Sequence, residues 1–214
     1  MLSPTLLSEN LVQNILAVVL CFVALFVSIR AFYIYSENNS PRLFILAVSM
    51  GILALTAAAD FYSSNVANIV LNTDWFLFIG QSVSFLFIFL SFLYNSDGYF
   101  RFLMRLQVLL AALLLGLLLL SPTLPGFPQT FLQVVLSGSR GVFCFAIFFF
   151  YISAFMAKRT RFSLFMSIAF LLLAFGYLVI LQKYFVTDSG VFDSVGDIIR
   201  VFGLFALLAA ILGS

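Results

Sequence analysis

Near the C-terminal end of the chain, Asp197 and Arg200 stand three residues apart inside an apolar stretch that runs from Val191 to Leu212. On a helix that spacing puts both side chains on one face. A second arginine, Arg140, interrupts another apolar stretch, and Asp60, Asp74, Gln81, Tyr177 and Lys183 are the other polar groups set among aliphatic and aromatic neighbours. An arginine beside a carboxylate in apolar surroundings supports two kinds of chemistry. It holds an anionic ligand through charge-assisted hydrogen bonds, or it is neutralised by the carboxylate and pins helices together. Asp60 and Asp197 are the carboxylates suited to neutralising the two arginines. Charge inside a membrane segment is costly enough that one of these uses is expected.

Other chemistries are excluded by what is missing. The sequence has no histidine, which removes histidine-ligated zinc or copper, bis-histidine haem and imidazole acid–base catalysis. Cys21 and Cys144 both lie in apolar runs and far apart, as small apolar core residues do. No nucleophile has a base at hand and no paired carboxylates appear in the inner half, so neither enzyme activity nor a metal or cofactor is expected. Among 29 phenylalanines, a cluster at Phe143, Phe145 and Phe148 to Phe150 is ordinary filling for a membrane bundle. A retinal, quinone or carotenoid pocket would also be aromatic, but the cluster singles none out.

The elements that must position these residues follow from composition. Of 214 residues, 64% are apolar and only 8% charged, with a mean hydropathy of +1.21. A soluble domain carries about 25% charged residues, so this chain is expected to be dissolved in lipid. Seven stretches approach the roughly 20 residues that span a bilayer: Leu11 to Tyr33, Leu43 to Val70, Trp75 to Tyr94, Phe102 to Leu120, Phe131 to Met156, Phe162 to Phe185, and Val191 to Leu212. All five prolines fall outside them. An all-α polytopic bundle forming a single domain over residues 1–214 is predicted. The leucine-rich fourth stretch is expected to be the most lipid-exposed. The residues before the first stretch contain Glu9 and no Lys or Arg, unlike a signal peptide, so the first helix is expected to stay.

Charge sets the expected orientation. Arg30 and Arg42, Arg101 and Arg105, and Lys158, Arg159 and Arg161 flank the odd-numbered connections, while the even-numbered ones carry Asp74, Asp188, Asp193 and Lys183. Seven of the ten basic residues thus mark one side. By the positive-inside rule the N-terminus is outside and the C-terminus cytoplasmic, in a membrane expected to be a prokaryotic plasma membrane. At 1.5 Å per residue, Arg140 and Arg200 each lie about 13 Å deep from the outer side. Asp60, Asp74, Arg140, Lys183, Asp197 and Arg200 would then gather in the outer half, with Gln81, Tyr62, Tyr177 and Trp75 as walls of a pocket. Ala57 to Ala59, and Ser137, Gly138, Ser139 and Gly141, would let neighbouring backbones approach.

An internal repeat is also visible. Arg42-Leu-Phe opens the second stretch and Arg161-Phe-Ser-Leu-Phe the sixth, Leu53-Ala54 is echoed by Leu173-Ala174, and Asp74 with Gly80 by Asp197 with Gly203. It would relate halves 11–94 and 131–212 through a linker helix, 102–120, as a 3+1+3 parallel duplication. Chance similarity between apolar triplets is the alternative.

On the N-out topology, the Arg42-Leu-Phe opening and the Asp197-x-x-Arg200-x-x-Gly203 pattern, the whole chain resembles the seven-helix membrane sensor regions of bacterial and archaeal signalling proteins. Microbial rhodopsins are similar in helix number and orientation, but their retinal-bearing lysine has no counterpart in the seventh stretch. Sugar transporters of the 3+1+3 kind share the helix count and lack a match for their proline-bearing helix. The resemblance implies a non-enzymatic sensor or receptor-like module. It would bind a small polar or anionic ligand from the outer side near Arg140, Asp197 and Arg200. A cytoplasmic or membrane partner protein would read it at Lys158, Arg159 and Arg161. A small-solute or ion transporter, and a structural subunit of a membrane complex, are the alternatives. No nucleic acid is expected as a partner.

Overall fold

A computed structural model gives seven α-helices: α1 Pro4–Asn38, α2 Pro41–Asn65, α3 Asp74–Leu93, α4 Asp97–Leu119, α5 Thr130–Lys158, α6 Arg161–Leu181 and α7 Ser189–Leu212, with a 3-10 turn Gln182–Tyr184 after α6. The structure describes residues 4–65, 72–93, 96–127, 130–185 and 189–213, leaving aside the side chains of 4–13, 64–65, 130, 189–191 and 193. Val70, Tyr94 and Asp188 lie outside the described residues, as does the side chain of Asp193. No strand occurs among the described residues, and all seven helices are long and apolar enough to cross a membrane. The protein is an all-helical integral membrane protein.

Helix ends differ from the apolar boundaries for local reasons. Pro4 and Pro41 are the first residues of α1 and α2, positions where the missing amide hydrogen costs nothing. Helix α1 continues past Tyr33 through Ser36, Glu37 and Asn38, and the Ser36 hydroxyl donates to the Tyr33 carbonyl at 2.7 Å. It stops at Asn39, whose φ of 49° is left-handed and whose amide donates to the Tyr35 carbonyl at 2.8 Å. The α5–α6 connection is built alike. Arg159 also has a φ of 49°, its amide donates to the Phe155 carbonyl at 2.7 Å, and Thr160 then caps α6 by accepting from the Ser163 amide at 3.3 Å.

The chain divides into two compact units, Cys21–Gln129 and Met1–Leu20 with Thr130–Ser214. In the first, α2 packs on both α3 and α4, and α3 on α4. Ile45, Phe87, Phe100 and Leu103 form one buried cluster and Ile52, Phe76 and Leu114 another. Buried polar groups pin these helices. Ser28 Oγ donates to the Ala47 carbonyl at 2.8 Å, and the wholly buried Gln107 donates Nε2 to the Ile45 carbonyl and to Ser49 Oγ, both at 2.9 Å. The chain after α4 straps over the start of α3. Trp75 Nε1 donates to the Pro125 carbonyl at 2.9 Å, and Phe127 packs against both Trp75 and Phe78 with centroids 4.6 and 5.0 Å away. Trp75 is thus occupied in holding a connection.

In the second unit α6 packs on α5 and on α7. The α4 and α5 spans each have 17% of their residues buried, against 39–50% in the other five. The leucine-rich α4 therefore shares its low burial with α5.

Candidate functional site

The site is built on a close approach of α6 and α7. A Cβ on Gly196 would stand 2.5 Å from Ile180 Cγ1 and 2.9 Å from the Gly176 carbonyl oxygen. A Cβ on Gly176 would stand 2.5 Å from Arg200 Cγ and 2.9 Å from the Gly196 carbonyl oxygen. Two turns further along α7, a Cβ on Gly203 would be 3.0 Å from Leu173 Cγ and 3.1 Å from the Ala169 carbonyl oxygen. Gly176 and Gly196 bring backbone against backbone at a distance that leaves no room for a Cβ, and Gly203 continues the seam as a tight contact. They also lay the aliphatic stem of Arg200 directly over Gly176.

The polar groups sit beside this seam. Arg200 Nη1 donates to Asp197 Oδ1 at 3.0 Å, with the two side chains only 13% and 11% exposed. Tyr177, next to Gly176 and buried, presents its ring to two cations. Arg200 Cζ is 4.8 Å from the ring centroid and Arg140 Cζ is 5.8 Å from it. Arg140 comes from α5 and is 4% exposed. Gly141 beside it faces α6, where a Cβ would make ordinary contact with Tyr177 Cβ at 3.6 Å and Leu178 Cδ2 at 3.5 Å. The result is a guanidinium from α5 and another from α7 gathered on one α6 tyrosine, with a carboxylate on the second guanidinium. Guanidinium forks match carboxylate and phosphate oxygens, so such a cluster is suited to holding an anion.

Of the residues expected to form the pocket, the structure brings together Arg140, Tyr177, Asp197 and Arg200. Lys183 lies in the 3-10 turn after α6, half-buried, with Nζ 5.3 Å from the centroid of the Tyr184 ring. Asp60, Asp74 and Gln81 belong to the Cys21–Gln129 unit. There Asp60 is half-buried on α2, and its carbonyl accepts from Ser63 Oγ at 3.0 Å. Asp74 is exposed as the first residue of α3, where a carboxylate complements the helix dipole. Gln81 is buried within α3, and Tyr62 is 47% exposed. Cys144, one turn along α5 from Arg140, is fully buried as a free thiol. Among the described residues no three His, Cys, Asp or Glu side chains are grouped to hold a metal.

Sequence reasoning passed over Gly176 and Gly196. The signal was present: Gly196 immediately precedes Asp197, and Gly203 follows it at seven residues, two turns along one face. No protein-family model, curated protein or solved structure matches this chain.

Proposed function

We propose that the chain is a non-enzymatic seven-helix membrane sensor module that holds a small anion, a carboxylate or a phosphate, at Arg140, Tyr177, Asp197 and Arg200. The observation that carries this reading is the convergence of two guanidiniums on the buried Tyr177 ring, at 4.8 and 5.8 Å. The Arg200–Asp197 pair lies within a single helix, and Arg140 comes from α5. An anion accepting from both arginines would couple α5 to α7 across α6. In the proposed orientation, N-terminus outside and C-terminus inside, that coupling is felt at Lys158, Arg159 and Arg161, the polar turn between α5 and α6 where a partner protein would read it. Continuous helices support a sensor over a carrier, since α5 and α7 run 29 and 24 residues as unbroken α-helix, whereas carriers commonly break helices at the binding level.

Reconstitution into liposomes tests the choice between sensor and transporter. The sensor reading expects no uptake of labelled acetate, succinate or phosphate above protein-free vesicles. Saturable uptake abolished by Arg140→Gln would make the same residues a transport site.

A further inference from the structure

Along the exposed side of α4, Arg105, Val108, Leu109, Ala112 and Leu113 recur at helical spacing and form one stripe. With Phe44 of α2 they line an open cleft of about 640 Å³, in which Arg105 is the sole charged lining residue. Val108, Leu109 and Leu113 are 52%, 57% and 60% exposed. The wall is fixed, because Phe44 is held edge-on by Phe32 at 5.9 Å and by Tyr35 at 5.4 Å.

The cleft has the dimensions and charge of a lipid site. From Arg105 to Leu113 the helix rises about 12 Å, close to the roughly 15 Å that one leaflet contributes to a bilayer's hydrocarbon core. The charged end points toward the start of α4, where Arg101 is exposed and donates Nε to the Asp97 carbonyl at 3.4 Å. Arg42, at the start of α2, lies over the Phe100 ring with Cζ 5.6 Å from its centroid. Asp97, two turns from Arg105, and Glu37, near the end of α1, are the acids at this end, against Arg42, Arg101 and Arg105. Long basic side chains reach from apolar stems to the headgroup layer, and each attracts anionic lipid there.

We infer that this cleft retains an anionic phospholipid, one acyl chain lying along Val108, Leu109, Ala112 and Leu113 and the phosphate held by Arg105. Arg101 and Arg42 add to the positive field that selects a headgroup without its own cation. The site lies wholly within the Cys21–Gln129 unit and does not depend on the anion site of α5 to α7.

Native mass spectrometry on the purified full chain tests it, with phosphatidylglycerol and phosphatidylcholine of identical acyl chains supplied in equal amounts. The expected result is one retained lipid with phosphatidylglycerol favoured about fivefold. Arg105→Gln removes the preference, Arg105→Lys keeps most of it, and Ala112→Phe lowers retention of both lipids by filling the cleft. Both positions are exposed, so the variants keep the fold. Equal retention of the two lipids, or a preference unchanged in Arg105→Gln, would overturn the inference. So would a second copy of the chain occupying the cleft, seen as a dimer that Ala112→Phe breaks.

Discussion

Arg200 and Asp197 have given up most of their hydration, and they meet at 3.0 Å. Removing one partner leaves a nearly buried charge, which costs about 3–5 kcal/mol in buried pairs. Asp197→Ala is therefore expected to lower the unfolding free energy in detergent by about 3 kcal/mol, and Asp197→Leu combined with Arg200→Met to recover most of the loss. A single substitution within about 0.5 kcal/mol of the parent would show that the pair is open to water. At Tyr177 the ring matters more than the hydroxyl for the two cations, each such contact being worth about 0.5–2 kcal/mol. The pairing of Asp197 with Arg200 could be read from their spacing alone. The meeting of Arg140 with Arg200 on Tyr177 could not, because it depends on which faces of three helices turn inward. Near-equal depth predicted only that a meeting was within reach.

Between elements, the glycine seam of α6 and α7 decides how closely the two helices lie. Gly196→Ala would push a methyl to 2.5 Å from Ile180 Cγ1 and 2.9 Å from the Gly176 carbonyl oxygen. Overpacking of that kind costs about 1–3 kcal/mol and would lift Arg200 off Gly176. Gly116 in α4 is the internal contrast, since a Cβ there meets nothing within 4 Å. Gly116→Ala is expected to be neutral or to stabilise by up to about 1 kcal/mol through helix propensity. Unfolding of both variants in the same detergent checks the difference; equal effects would contradict the seam. Hydropathy located every helix because apolar length is a local property. It misjudged the ends, where Pro4 and Pro41 start helices and Ser36 to Asn38 extend one, because capping and proline placement operate on polar residues outside the apolar run. Its reading of α4 as lipid-exposed agrees with the low burial of that span, and Gln107, wholly buried and bonded to α2, anchors the one face that packs.

For the whole molecule, the proposed topology has all seven helices crossing, with the α1–α2 and α5–α6 connections on one side of the membrane and the α4–α5 connection on the other. The proposed orientation makes the first pair cytoplasmic. In a background of Cys21→Ser and Cys144→Ala, an impermeant maleimide applied to intact cells is expected to label Thr123→Cys and to spare Asn39→Cys and Arg159→Cys, all three positions being exposed. The opposite pattern would invert the topology and place the α5–α6 arginines outside, away from a cytoplasmic partner.

Binding of an anion by the α5–α7 unit is the claim on which the sensor reading rests, and a thermal shift on the purified chain measures it. A ligand at a hundred times its dissociation constant adds about 2.7 kcal/mol to stability, or roughly 5–10 °C for a chain of this size. Titration with acetate, succinate and inorganic phosphate is predicted to raise Tm saturably for at least one of them. That shift is predicted to vanish in Arg140→Gln while the variant keeps its helical content. A shift equally large in Arg140→Gln, or none with any of the three anions, would contradict the anion site and leave the two arginines as helix pins.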